Sequence, residues 1–144
     1  MGWFGYKLYD GDGTQTCHLD FLKRAKIAKN SDVAFDMMMH KGSTGLKTII
    51  PQEKKHLLKK NIALVLKKMP RWKEPRKMEE YDLIEWQMLL ALFVDNDIKP
   101  TKEVLKNGIE ATEELCYGHA DDFDQPSKRK KVLKDFIKKA EKLC

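Results

Sequence analysis

The segment 119–124 combines one histidine with three aspartates, and it is the densest group of chemically active side chains in the sequence. Carboxylates beside an imidazole can bind a divalent cation or carry out acid–base catalysis. The same composition is typical of a solvated loop that leads into the helix that Pro126 opens. Both interpretations stay open, and His119 and Asp122 are the candidate ligands of the first.

A second candidate metal pair is formed by Asp36 and His40. Together with Asp32 they follow each other at four-residue intervals, which places them on one face of a predicted helix. The alternative is an exposed polar stripe, with His40 favoured by the dipole at the helix C-terminus. Because no further ligand lies nearby in sequence, we expect the polar stripe, no metal and no cofactor.

Two other arrangements are better explained by structure than by chemistry. A calcium loop starting at Asp10 would need glycine and glutamate where the sequence has Gln15 and Phe21, so this segment is predicted to be a turn. Cys17 and His18 are neighbours and point in different directions on a helix, which excludes a direct hydrogen bond between them. His18 lies on an apolar face and is predicted to be a hydrogen-bonded core histidine.

The apolar periodicity predicts an all-α fold, a single-domain bundle of five or six helices over residues 1–144. A short extended aromatic arm and turn (1–13) precede it, and Thr14 and Ser31 are predicted N-caps. Residues 70–78 form a basic connector with two prolines. The predicted helices are 15–29, 31–40, 51–69, 79–95, a fifth from Pro100 to Gly118 and a last one from Pro126. The fourth is apolar on all sides, which places it at the centre.

The net charge of +6 is distributed in blocks along the chain. Residues 1–53 carry +1 and residues 54–78 carry +9, from ten Lys and Arg against one Glu. Residues 79–125 carry −10, and residues 126–144 carry +6. The oppositely charged blocks either neutralise each other inside the bundle or present separate charged faces to partners.

The basic segment, residues 54–77, is therefore the main candidate binding surface for nucleic acid or a protein partner. A cluster of Lys and Arg binds phosphates in a salt-dependent and sequence-independent way. Trp72 could stack on an unpaired base, or it could pack the connector onto the bundle. The candidate binding residues are Lys55, Lys59, Lys60, Lys67, Arg71, Trp72, Lys73, Arg76 and Lys77.

The cysteine content and the hydropathy indicate a cytoplasmic protein. Cys17, Cys116 and Cys144 are an odd number without close spacing, which disfavours disulfides and zinc sites. The longest apolar run, 88–94, is far shorter than the ~20 residues of a transmembrane helix. The opening residues do not form a signal peptide, so we expect no membrane association.

The opening of the chain resembles a family of small uncharacterised bacterial proteins, a domain of unknown function. Members begin with a Trp-Gly-x-Gly-like segment followed by an acidic turn into a helix. The matching residues are Trp3, Gly5, Leu8, Asp10 and Asp12, then Leu90–Leu92, Ile98–Pro100, Val104–Leu105, Pro126, Arg129, Val132–Leu133 and Phe136. The resemblance implies a compact helical domain of bacterial or phage origin and assigns no catalytic residue.

Three functions follow from these observations. The first is a non-catalytic protein-interaction module, of the inhibitor or adaptor type, that acts through oppositely charged faces. The alternative is nucleic-acid binding through residues 54–77 and the C-terminal helix. The second alternative is a metal-dependent enzyme that uses the segment 119–124. The sequence contains no nucleophile elbow, phosphate-binding glycine loop or dinucleotide fingerprint, which disfavours an enzyme.

Overall fold

The computed structural model describes residues 12–38, 40–42, 45–117 and 126–143. The fold is an all-α single domain, as predicted, with seven α-helices in the described residues. They are α1 (Asp12–Arg24), α2 (Ser31–Met38), α3 (His56–Lys60), α4 (Ile62–Lys67), α5 (Glu80–Asp95), α6 (Lys102–Tyr117) and α7 (Pro126–Lys142). Residues 1–11 of the predicted arm and turn (1–13) lie outside the described residues, whereas Asp12 and Gly13 belong to α1 and not to a turn.

A small antiparallel hairpin follows α2. Its strands are β1 (His40–Gly42) and β2 (Gly45–Lys47), with His40 opposite Lys47. The prediction that the second helix continues to His40 is therefore wrong, because α2 ends at Met38. The predicted cap is also displaced by one residue: the Asn30 side chain, not Ser31, accepts the hydrogen bond from the backbone N–H of Val33 at 3.0 Å.

The first helix is shifted towards the N-terminus relative to the prediction. It begins at Asp12, so Thr14 lies inside the helix and is not its N-cap. It ends in a turn where Lys26 has a φ of 62°, and Ile27 N–H bonds to the carbonyl of Leu22 at 3.0 Å. A residue in the left-handed conformation, followed by an N–H that bonds to a carbonyl five residues earlier, is a Schellman motif. The motif provides hydrogen-bond donors for carbonyls at the end of the helix.

The helix predicted over residues 51–69 is divided. It opens with a 3-10 turn, Gln52–Lys54, and is interrupted at Asn61 between α3 and α4. The Asn61 side-chain amide donates to the carbonyl of Ala25 at 2.8 Å, at the end of α1. Because this contact holds Asn61 against another helix, its backbone leaves the helical path, and the count rises from the predicted five or six helices to seven.

The fourth predicted helix is α5, and it is the centre of the bundle. Buried side chains surround it from Leu83 to Phe93, with only Glu85 half-buried in that stretch. It packs against α1, α6 and α7, while α2 packs on α1 and α7 also packs on α6. A Cβ placed on Gly108 of α6 would lie 2.6 Å from Cβ of Leu90. Only glycine therefore permits this close approach of α6 to α5.

The connector 70–78 is fixed to α5 by aromatic contacts. The indole N–H of Trp86 donates to the carbonyl of Pro70 at 3.1 Å, and the rings of Trp72 and Trp86 meet edge to face at 5.6 Å. The connector ends in a 3-10 turn, Pro75–Lys77, which packs against α6. Within the described residues, no helix is both long and apolar enough to cross a membrane.

Candidate interaction surface

Three polar side chains, His18, Thr48 and Asn96, connect α1 and α5 to the segment after the hairpin, and we call them the polar clamp. His18 is 1 % exposed, its Nε2 donates to the carbonyl of Met88 at 2.8 Å, and its Nδ1 accepts from the Thr48 hydroxyl at 2.7 Å. Only Nε2–H can donate to a carbonyl, so the neutral ring carries its proton there. The prediction of a hydrogen-bonded core histidine is confirmed.

Asn96 completes the polar clamp. Its Oδ1 accepts from the backbone N–H of Ile50 at 2.7 Å, and its Nδ2 donates to the carbonyls of Thr48 and Leu92 at 3.1 and 2.9 Å. Burial lowers the pKa of His18 to about 4, against a partial opposing effect of its bond to Met88. The clamp is therefore a neutral, fully buried network that holds the segment 48–50 on α5.

A second polar group lies at the edge of the α1–α5 contact. This rim cluster consists of Cys17, Asp20 and Arg24 from α1 with Tyr81 and Glu85 from α5. Burial raises the pKa of the Cys17 thiol to about 12, with a smaller contribution from the charge of Glu85 and with the Tyr81 hydrogen bond acting against it. Such a thiol is protonated at neutral pH, so it is not an activated nucleophile.

Within the rim cluster, the guanidinium of Arg24 is incompletely hydrogen-bonded. Arg24 lies 4.0 Å from Asp20 between Nη2 and Oδ2, but its buried Nη1 has no hydrogen-bond partner. Burial raises the pKa of the half-buried Glu85, and the guanidinium of Arg24 opposes this shift. This cluster is not among the sites that the sequence predicts. Its only sequence signal is the spacing of polar residues at 17, 20 and 24 and at 81 and 85.

Most of the predicted binding residues in the basic segment are exposed. Lys59, Lys60, Lys67, Arg71, Lys73, Arg76 and Lys77 are exposed, and Lys55 and Trp72 are half-buried. Trp72 packs edge-on against Trp86, and this contact favours the packing interpretation over stacking on a base. The exposed charges nevertheless form a surface that phosphates or carboxylates could reach.

The last helix presents a second basic surface. Its inner side is buried through Leu133, Phe136 and Ala140, and its outer side forms an open recess of about 490 Å3. The recess is lined by Ser127, Lys130, Lys131, Lys134, Asp135 and Lys138. We call its four lysines the lysine face.

An acidic recess of about 310 Å3 lies where the turn Pro75–Lys77 meets α6. It is lined by Pro75 and by Glu110, Glu113 and Glu114. None of these residues lines the recess on α7. The acidic recess and the lysine face are therefore two separate surfaces of opposite sign, on neighbouring helices.

The ion pairs between described side chains do not join the oppositely charged blocks. Each of them links residues three or four positions apart in one segment, which is the spacing of neighbours on a helix surface. They are Arg24–Asp20 at 4.0 Å, Lys77–Glu74 at 3.9 Å and Lys106–Glu110 at 3.8 Å. Within this part of the chain, none of these three pairs includes a residue of the lysine face.

The metal candidates are not brought together. His40 lies on β1 and Asp36 on α2, so the helical spacing that would pair them is absent. The described part of the chain contains no group of three or more His, Cys, Asp or Glu side chains that could hold a metal ion. The segment 119–124, with His119 and Asp122, lies outside the described residues.

No family model, curated protein or solved structure matches this chain. The compact helical domain that the resemblance implies is observed, but helical periodicity predicts the same fold independently. Four of the opening residues that carry the resemblance, Trp3 to Asp10, lie outside the described residues. The resemblance stays a prediction.

Proposed function

We propose that this protein is a non-catalytic interaction module that binds a protein partner through its oppositely charged surfaces. The observation that supports the proposal is the pair of open recesses on α6 and α7, one lined by glutamates and the other by lysines. Charged surfaces of this kind accelerate encounter with a complementary partner and reject partners of the wrong sign. The bundle supplies a rigid support for them because both helices pack on the buried α5.

The proposal is tested by affinity capture from a lysate of the source organism with immobilised wild type and two neutralised variants. One variant carries Lys130→Gln, Lys134→Gln and Lys138→Gln, and the other carries Glu110→Gln, Glu113→Gln and Glu114→Gln. We expect at least one captured protein to be lost or strongly depleted with one of these variants, and its binding to weaken as salt rises.

The matched control is the variant Lys23→Gln, Lys29→Gln, Lys99→Gln, which loses the same charge from exposed positions outside both recesses and the basic segment. Circular dichroism and urea titration confirm that each variant is folded. The proposal is contradicted if every captured protein is retained equally by both recess variants and by the control.

Nucleic-acid binding through the basic segment is a second candidate function. It is favoured by the eight exposed Lys and Arg side chains in residues 59–77. A gel shift with DNA and RNA at low and moderate salt tests it, with Arg71→Gln/Lys73→Gln/Arg76→Gln as the weakened variant. If no complex forms at low salt, this candidate is excluded, because phosphate contacts are strongest there.

A further inference from the structure

The lysine face has a regular geometry that restricts the kind of partner it can bind. Lys130, Lys134 and Lys138 follow each other at intervals of four residues on the outer side of α7. Since an α-helix rises 1.5 Å per residue, successive lysines are displaced by about 6 Å along the helix axis. The three span about 12 Å along the helix axis and follow one oblique ridge, which turns around the helix by about 40° at each step.

An acidic helix has the complementary repeat. Carboxylates at positions i, i+4 and i+8 of a helix lie on one face with the same axial spacing of about 6 Å. A helix laid along α7 can therefore place one carboxylate near each lysine in turn. Lys134 and Lys138 are exposed, so a second helix can reach them from solvent.

The lining also disfavours a nucleic acid at this surface. Asp135 lies among the lysines and would repel a uniformly charged phosphate backbone. The described lining residues include no aromatic side chain on which an unpaired base could stack. A protein helix avoids this repulsion, because it can place a neutral or basic residue opposite Asp135.

We propose that the lysine face of α7 is the docking site for an acidic helix of a protein partner, with carboxylates at four-residue intervals. The inference rests on the proposed function and names the partner of one of its two recesses. The lysines provide the charge complementarity, and Asp135 fixes the register of the bound helix.

The test measures the binding of synthetic helical peptides by fluorescence anisotropy at low salt. The matched peptide carries three glutamates at i, i+4 and i+8 in an alanine-rich sequence. The spread peptide has the same composition, with the glutamates distributed around the helix, and circular dichroism shows that both are equally helical. We expect the matched peptide to bind about tenfold more tightly, because three weak exposed pairs form together.

The variant Lys134→Gln/Lys138→Gln should abolish this preference between the two peptides. The control Lys23→Gln/Lys29→Gln, which removes the same charge from exposed positions outside both basic surfaces, should leave it unchanged. Equal affinity for the two peptides, or a 12-base-pair DNA duplex bound more tightly than the matched peptide, would overturn the inference.

The two experiments fail independently of each other. If capture of a protein depends on Lys130, Lys134 and Lys138 but the peptides bind equally, the interaction module stands and the acidic-helix geometry is wrong. If capture is the same with all variants, the proposed function is wrong, and peptide discrimination then describes a surface without a cellular partner.

Discussion

The polar clamp and the rim cluster both join α1 to α5, but their polar groups differ in how completely they are hydrogen-bonded. In the polar clamp, the ring nitrogens of His18 and the amide of Asn96 have hydrogen-bond partners in the described structure. In the rim cluster, Arg24 has a buried N–H without a partner, and Glu85 is half-buried beside it. The comparison shows that full burial is tolerated here where polar groups are neutral and paired, whereas charged groups stay at the edge, close to water.

The largest effect on stability is expected from Asn96→Ala. The substitution leaves the N–H of Ile50 and the carbonyl of Thr48 without their partner in a buried position. Each unsatisfied buried group costs about 1–3 kcal/mol, so we expect a loss of about 3–5 kcal/mol in a urea titration.

Asn30→Ala is the matched control for this substitution. Asn30 is exposed and caps α2 with a single hydrogen bond to Val33 N–H, so its removal should cost about 1 kcal/mol. Equal losses for the two asparagines would show that the polar clamp contributes no more than a helix cap.

The next largest effect is a loss of stability at acidic pH that is caused by the protonation of His18. Its pKa is lowered in the folded state to about 4, so between the ordinary value of 6.5 and that value the unfolded chain binds the proton more readily. Stability should therefore fall as the pH decreases through this range, by a total of about 3 kcal/mol, and His18 should add no dependence at lower pH.

Urea titrations between pH 7 and pH 4 measure this slope. His18→Gln should remove it, whereas His56→Gln, at an exposed position, should leave it intact. An unchanged slope in His18→Gln would assign the acid sensitivity to other groups.

Glu85 should show a smaller dependence of opposite sign. Its pKa is raised in the folded state, so the folded protein holds this proton more tightly than the unfolded chain does. Stability should fall as the pH rises from about 4.5 through the folded-state pKa. Because Glu85 is half-exposed, solvent screening keeps the effect below about 1 kcal/mol.

The measurement is the difference in urea-unfolding free energy between wild type and Glu85→Gln across this pH range. Glu79→Gln removes the same charge from an exposed position just before α5 and serves as the control. If the two variants have identical pH profiles, the position of Glu85 in the rim cluster has no effect on its ionisation.

The smallest effect is expected for Tyr81→Phe. The Tyr81 hydroxyl shares a hydrogen bond with Cys17, and the ring is 40 % exposed. Since water can replace part of this interaction, we expect a loss of about 0.5 kcal/mol in the urea titration. A loss above about 2 kcal/mol would mean that Tyr81 contributes as much to stability as a residue of the polar clamp. That result would contradict the difference between the two clusters.

The sequence predicts which faces are buried better than it predicts what the buried polar groups contact. The apolar run of α5 and the stripe containing His18 are local patterns, so periodicity is enough to place both in the core. The partners of His18 lie 30 and 70 residues away, at Thr48 and Met88, and no local spacing indicates them. The same limit explains the break at Asn61, which depends on a contact with Ala25.

For the candidate surfaces, the sequence predicts the sign of the charge but not whether neighbouring helices neutralise it. Block charges indicate that residues 54–77 and the last helix are basic, but not whether the acidic helices neutralise them. That depends on how α6 and α7 are oriented around α5, which is set by packing such as that of Gly108 on Leu90. The acidic recess was not predicted, because it combines Pro75 with glutamates more than 30 residues away in sequence.

The enclosure of α5 between Trp86 and Phe93 has a consequence for backbone hydrogen exchange. Neighbouring helices cover it along most of its length, so no local opening exposes its central amides without disrupting the core. Its amides from Met88 to Leu92 should exchange deuterium only through global unfolding, and their protection should report the stability of the whole domain. Amides in the two short helices on either side of Asn61 should exchange earlier, through local opening events that leave the central helix closed.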